Sequence, residues 1–269
     1  MNENSSPKVH PFAPIRMKTR FLRMVGIFAL GIFTTGVSQG QEAKSLVSKA
    51  EASQMKFAST ATIRITSVRP TYTKVLDVKV WALNNSYALV QITAPERERG
   101  TAYVRAQNKM WSFLPKANKV IQLPSSMLMQ GWMGSDMQMD NLLGEASYAQ
   151  EYLLVYKGTE EANGRACHVI EATPKPGVPV VWSKVLLYIA KDAPDFVRIR
   201  YMDKRGNNAQ RVDVLKHAVM DGVRMPVVLT ITPSGKKQHT QVEIVAWKKN
   251  SSLTPSFFTP ERLKSIPTL

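Results

Sequence analysis

The side chains able to carry chemistry are few. Beyond residue 40 the histidines are His168, His217 and His239, and the single cysteine is Cys167. Cys167 and His168 are adjacent, so in a strand they point to opposite faces and cannot form a nucleophile–base pair. The chain has no HExxH, GxSxG or phosphate-loop pattern. Asp136 and Asp140 stand together in a methionine-rich stretch and could furnish carboxylates to a site. Asp136 directly follows Gly134-Ser135, however, which fits a turn or helix N-cap position. The sequence therefore assigns no catalytic residue, no metal ligand and no cofactor.

The unusual stretch is apolar. Residues 127–143 read MLMQGWMGSDMQMDNLL and hold Met127, Met129, Met133, Met137 and Met139, five of the chain's 13 methionines. Leu128, Trp132, Leu142 and Leu143 accompany them. Gly131 and Gly134-Ser135-Asp136 break the stretch into two short helical registers, an interruption that a long buried helix would not carry. Methionine is unbranched and polarizable, so it fits irregular or changing apolar partners. Two readings follow: a mobile apolar lid over a hydrophobic pocket, or a connector packed shut over a core.

The elements around this stretch are strands. Residues 42–57 have helical spacing, with Leu46, Val47, Ala50 and Met55 on one side. From residue 60 the period changes to two. Alternation marks strands over 60–68, 74–81, 87–93, 101–106, 109–114 and 119–123, then over 152–157, 166–172, 184–190, 196–202, 211–218, 225–232 and 239–247. In 196–202, Arg198 and Arg200 are expected to face away from Val197, Ile199 and Tyr201. Turn signals separate the strands at Asn84-Asn85, Gln107-Asn108, Asn163-Gly164, Asp221-Gly222 and Ser234-Gly235. The short turns late in the chain predict a meander. Thr259-Pro260-Glu261 reads as the start of a short closing helix. The fold class is mainly β: a curled antiparallel sheet, a half-open barrel of about 11 and at most 13 strands, with short helices on its concave face. The tryptophans 81, 111, 132, 182 and 247 read as packing residues.

Composition and the N-terminus bound the setting. The 269 residues are 44% hydrophobic and 21% charged, a globular balance. Lys18, Arg20 and Arg23 precede an apolar run over 24–37, and small residues follow at Ser38 and Gly40. This predicts a cleavable export signal, with cleavage near 38–40. The run is short for a membrane span of about 20 residues. The expected organisation is an N-terminal extension and signal over 1–40 and one domain over 41–269. One cysteine cannot form an internal disulfide, which suits a bacterial periplasm. Residues 1–40 carry +4 of the formal +16, leaving +12 on the rest. An exported basic protein is placed to meet anionic headgroups or acidic partners rather than nucleic acid.

Met110-Trp111-Ser112-Phe113-Leu114-Pro115, Lys119-Val120-Ile121, Trp132-Met133-Gly134-Ser135-Asp136 and Asp140-Asn141-Leu142 together resemble the outer membrane lipoprotein-sorting proteins, LolA/LolB-like periplasmic carriers. The closing Phe257-Phe258-Thr259-Pro260-Glu261-Arg262-Leu263 is similar to theirs as well. The resemblance covers residues 41–269. It implies a half-closed antiparallel barrel whose apolar concavity carries acyl chains of lipoproteins or phospholipid. It also implies a monomer without enzymatic activity, working between an inner-membrane transporter and an outer-membrane acceptor. The candidate lid and lipid-contacting residues are Met110, Trp111, Phe113, Met127, Leu128, Met129, Trp132, Met133, Met137, Met139, Leu142 and Leu143. No basic residue that would latch such a lid is marked by the sequence. The turn at Asn84-Asn85-Ser86 is polar and lacks the membrane-entering leucine of acceptor-type members. A lipid hydrolase, or an interaction domain that reuses the fold, are the alternatives.

Overall fold

The computed structural model describes residues 35–55, 57–84, 86–124, 127, 130–138, 147–178 and 182–266, with side chains omitted over 35–39 and 53–55. Residues 24–34 of the expected signal core lie outside these residues, and its last three, 35–37, begin a helix. The description below concerns the unit 36–269.

Thirteen strands form one antiparallel sheet: β1 (Ser59–Val68), β2 (Thr73–Leu83), β3 (Tyr87–Ala94), β4 (Ala102–Ala106), β5 (Lys109–Leu114), β6 (Lys119–Gln122), β7 (Tyr152–Ala162), β8 (Arg165–Pro174), β9 (Lys184–Ala190), β10 (Phe196–Met202), β11 (Asn208–Met220), β12 (Val223–Pro233) and β13 (His239–Lys249). Their order is β6-β5-β4-β3-β2-β1-β13-β12-β11-β10-β9-β8-β7. Every neighbour is also a neighbour in sequence except β1 and β13, which join two meanders into one curled, unclosed sheet. The alternating segments correspond to these strands, so the sheet has the upper end of the expected count.

Among the described residues three α-helices accompany the sheet: α1 (Thr35–Met55), α2 (Tyr148–Glu151) and α3 (Arg262–Ser265). α1 begins earlier than the periodicity predicts. Among its described side chains the packed face runs through Ala43, Val47 and Ala50. No described helix is long and apolar enough to cross a membrane.

Strand alternation separates two faces. On the inner face, β1–β5 contribute Ile65, Val78, Val90, Ile92, Tyr103 and Met110, joined by Ile231 and Val242 from β12 and β13. β8–β10 contribute Ile170, Val185, Leu187, Ile189, Phe196 and Tyr201, and α1 lies over them with Ala43, Val47 and Ala50 fully buried. On the outer face, Leu89, Ala102 and Val104 are covered by the C-terminal segment through Leu253, Phe258, Leu263 and Ile266. Burying each such side chain contributes roughly 1.5–3 kcal/mol. The Thr259 hydroxyl accepts the Arg262 amide at 3.3 Å in the turn that leads into α3, whose N-cap position is Glu261 rather than the expected Thr259.

One expectation fails locally. Val197 does not share a face with Ile199 and Tyr201; it packs with Cys167 and Tyr188 on the outer side, where Arg198 pairs with Asp213. A bulge between Phe196 and Arg198 is the reason, since one extra residue resets the alternation.

Candidate functional site

β6 and β7 are the two edges of the sheet and are consecutive in sequence. The methionine-rich connector therefore leaves from one edge and returns at the other. Leu123 still belongs to the wall, its amide donating to the Met110 carbonyl at 2.9 Å. The part over 131–138 forms a small closed loop. Gly131 and Gln138 make an antiparallel bridge, and the Trp132 amide donates to the Met137 carbonyl at 2.8 Å. The Ser135 hydroxyl donates to the Trp132 carbonyl at 2.6 Å and receives the Met137 amide at 3.2 Å. The loop turns through left-handed backbone at Met133 (φ 51) and Gly134 (φ 80). A Cβ at position 131 would stand 3.0 Å from the Ser135 carbonyl oxygen, so the closed loop leaves little room for a larger residue there.

The loop projects Trp132 and Met137 into the inner-face cluster, with Met133 packed beside them. Trp132 is 1% exposed, and its ring meets Tyr103 edge-on at 6.0 Å. The Tyr103 hydroxyl donates to the Met133 sulfur at 3.7 Å, and burial pushes that phenol's pKa above its ordinary value.

Buried ionic chemistry holds the loop down. Asp136 Oδ2 accepts from Arg69 Nη1 at 2.9 Å and from the Thr240 hydroxyl at 2.8 Å, while Oδ1 accepts from Gln238 Nε2 at 2.6 Å. Arg69 also donates to the carbonyls of Gly134 and His239, at 2.6 and 3.1 Å. Gln210 Nε2 donates to the Asp136 carbonyl at 2.6 Å, and Lys74 Nζ reaches the Met133 carbonyl at 3.3 Å. Asp136 is thus neither a helix cap nor a free carboxylate. It is the tie between the loop and strands β11, β13 and the β1–β2 turn.

A second tie holds the far end of the connector. The Glu51 carboxylate on α1 accepts from the Ser147 hydroxyl at 2.8 Å and from the amides of Tyr148 and Ala149 at 2.6 and 3.4 Å. Burial raises the Glu51 pKa, and these hydrogen bonds act against the rise. The Tyr148 and Tyr201 hydroxyls are 3.0 Å apart, joining α2 to β10. α1 with α2, and the 131–138 loop, thus roof two adjacent areas of one apolar face. Val212 on β11 packs against both.

The sequence-predicted residues divide accordingly. Met110, Trp132, Met133 and Met137 come together on the inner face. Trp111 and Phe113 lie on the opposite face beneath the C-terminal segment, because strand alternation turns them away from Met110. Met127 is exposed. Leu128, Met129, Met139, Leu142 and Leu143 lie outside the described residues, as does Asp140. Arg69 and Glu51 were not marked by the sequence; a basic residue beside Pro70 in a turn carries no signal of a partner at position 136.

Candidate catalytic groups stay apart. Cys167 is buried on the outer face, whereas His168 Nδ1 meets the Tyr156 hydroxyl at 3.0 Å. His217 lies near Asp195 at 3.8 Å, and His239 offers its carbonyl to Arg69. Among the described residues no three of His, Cys, Asp and Glu gather as a metal site.

A family model described as uncharacterized protein, DUF1329-like, matches residues 84–265. The chain belongs to this DUF1329-like family. Among solved structures it is similar to a DUF1329 family protein from Desulfovibrio piger, with TM-score 0.76, 18% identity and coverage of 84% of this chain and 99% of that one. It is similar to an outer membrane lipoprotein-sorting protein domain from Vibrio parahaemolyticus, with TM-score 0.74, 16% identity and coverage of 84% and 99%. A LolA superfamily protein from Nitrosomonas europaea matches with TM-score 0.68, 19% identity and coverage of 81% and 97%. The fold is therefore that of the LolA superfamily, as the sequence resemblance implied. No curated protein matches the chain.

Proposed function

We propose that this protein is an exported, non-enzymatic carrier that binds acyl chains of lipoproteins or other lipids on the inner face of its sheet and moves them through the periplasm. The observation that carries the reading is the two-part roof. One apolar sheet face is covered by segments that are not strands, each tied down by a buried carboxylate. Displacing them would uncover apolar surface without breaking any strand pairing. Each methylene received there is worth about 0.8 kcal/mol, so one acyl chain can repay the opening of a roof. Met133 and Met137, soft and unbranched, suit a surface that repacks between empty and loaded states.

The charge supports the same reading. A remainder of +12 attracts anionic membrane surfaces, where such cargo is collected and delivered. The same fold in a lipoprotein-sorting domain agrees with it.

The test is uptake of labelled phospholipid from vesicles by the purified protein. Stoichiometric uptake with the lipid recovered intact supports a carrier. Conversion of the lipid to product rejects it in favour of a hydrolase, and absence of uptake rejects both.

A further inference from the structure

The curled sheet is interrupted beside its one non-sequential junction. β12 and β13 pair only from Val228↔Glu243 to Ile231↔Thr240. β12 nevertheless continues back to Val223, paired on its other side with β11, and β13 continues to Lys249, paired on its other side with β1. Over 223–227 and 244–249 the two strands run without pairing to each other.

Bulges explain why they part there. β13 accommodates one unmatched residue at Val245, opposite the step from Thr62 to Ile63. β11 has irregularities between Val214 and Lys216 and between Lys216 and His217, next to Leu229 and Val228. Bulges bend a strand and increase its twist. Placed on both flanks at the level where pairing stops, they turn the two half-sheets away from each other.

The resulting seam is apolar. Val223, Met225 and Val227 of β12, with Met220 of β11 and Ile244 and Trp247 of β13, form a separate cluster. Trp247 also packs against the inner-face cluster beneath the 131–138 loop, so the seam is continuous with the roofed surface. At its outer end Phe57 is 39% exposed, meets Trp247 edge-on at 6.3 Å and carries Lys249 Nζ at 4.7 Å over its ring. Lys248 and Lys249 are exposed around that end, whereas Arg224 is paired with Asp195. A hydrogen bond spans the mouth: the Lys249 amide donates to Asp221 Oδ2 at 2.8 Å.

We propose that the β12–β13 seam is a lateral port through which one acyl chain of an anionic lipid enters the inner face, its headgroup held outside by Lys248 and Lys249. The proposal rests on the carrier reading and adds a route and a headgroup charge to it. The apolar lining accepts the chain, the basic mouth accepts the phosphate, and the absence of strand pairing lets the half-sheets separate without breaking a ladder. Asp221 acts as the latch, since its bond to Lys249 is what joins the two strands at the mouth.

The test is a removable crosslink across the mouth. In a Cys167→Ala background, Asp221→Cys with Lys249→Cys is oxidised, and uptake of fluorescent phosphatidylglycerol from vesicles is followed before and after reduction. Oxidation is expected to slow uptake by about tenfold or more, because the chain then has to wait for rarer openings elsewhere, and reduction is expected to restore it. Asp221→Ala, which needs no disulfide, is expected to speed it. Equal rates in the oxidised and reduced forms overturn the port while leaving the carrier reading intact. A parent protein that takes up no lipid overturns the carrier reading and the port together. Amide hydrogen exchange supplies a lipid-free check: amides over 223–227 and 244–249 should exchange faster than those of the paired 228–231 and 240–243, and equal protection also overturns the port.

Discussion

Arg69 Nη1 lies 2.9 Å from Asp136 Oδ2, with the two side chains 9% and 6% exposed. The pair joins a turn of the sheet to the loop that roofs it, and each member is satisfied by further partners. Such pairs are costly to break from one side, because the surviving charge stays buried. Arg69→Ala is expected to destabilise the fold by about 3–5 kcal/mol in urea denaturation. Arg69→Lys should recover only part, since an ammonium cannot reach Asp136 and the Gly134 and His239 carbonyls in one fork. Asp136→Asn with Arg69→Met should be milder than Arg69→Ala alone, and a double-mutant cycle reads the coupling directly.

Glu51 ties the other end of the connector and has the opposite electrostatic character. Burial raises its pKa, so the native state takes up this proton more readily than the unfolded chain. Its contribution is then fullest below the unfolded carboxylate value and is lost as pH rises through the raised native value. Glu51→Gln removes that titration. Relative to the parent, its stability should improve as pH is raised from 4 to 7. Glu51→Ala should be less stable at both pH values by about 1–2 kcal/mol, because the Tyr148 and Ala149 amides lose their acceptor. Denaturation midpoints of the three proteins at the two pH values check both statements.

The two faces of β5 separate packing from transport. Trp111→Ala removes a ring from the outer cluster under the C-terminal segment, where Phe258 is 1% exposed. It should lower stability by about 2–4 kcal/mol while leaving the amount of lipid bound per folded molecule unchanged. Met133→Asp places a charge on the inner side of the loop beside Tyr103 and Trp132. It should weaken lipid uptake while the far-ultraviolet circular dichroism of the sheet is retained. Loss of uptake in Trp111→Ala with none in Met133→Asp would reverse the assignment of faces.

How much of this the sequence displayed depends on distance along the chain. Most strands were visible because they hide one face more than the other, so polar and apolar residues alternate locally; β3 and β4 are buried on both faces. Which face was which was not visible: Trp111 and Phe113 alternate correctly with Met110, but the segment that covers them is the distant 253–266. The ties were hidden for the same reason. Arg69 meets a carboxylate 67 residues away and Glu51 meets backbone amides 97 and 98 residues away, and neither separation leaves a periodic trace. Asp136 was legible only as a residue after Gly-Ser, which describes its backbone and not its carboxylate. The parting of β12 and β13 arises from bulges at Val245 and around Leu215, and alternation is too regular a signal to report them.

The outer face carries a titrating pair whose effect on stability has a defined sign. Asp195 is 5% exposed and accepts from Arg224 at 2.8 Å and Arg165 at 3.3 Å, with His217 Nε2 3.8 Å away and lacking a hydrogen-bond partner. Burial lowers the His217 pKa; Asp195 opposes this, and Arg224 and Arg165 reinforce it. The native state therefore keeps His217 neutral after the unfolded chain has begun to take up the proton, near pH 6.5. Stability contributed by the neutral ring is present above that pH and declines as pH falls below it. Burial of Asp195 acts to raise its pKa, but the hydrogen bond of Arg224, the charges of His217 and Arg224 and the bond from Arg165 outweigh it and leave the value lowered. Its contribution is lost in a separate, more acidic window, below the ordinary carboxylate value of about 4. His217→Gln should abolish the first decline and shrink the second, because the charge of protonated His217 helps to hold the Asp195 carboxyl down. Arg224→Ala should weaken the second while making native His217 easier to protonate, so that the first decline becomes smaller and ends at a higher pH. Urea midpoints taken from pH 7.5 to 3.5 resolve the two windows, and a parent protein whose stability is flat between pH 7 and 5 would remove His217 from this account.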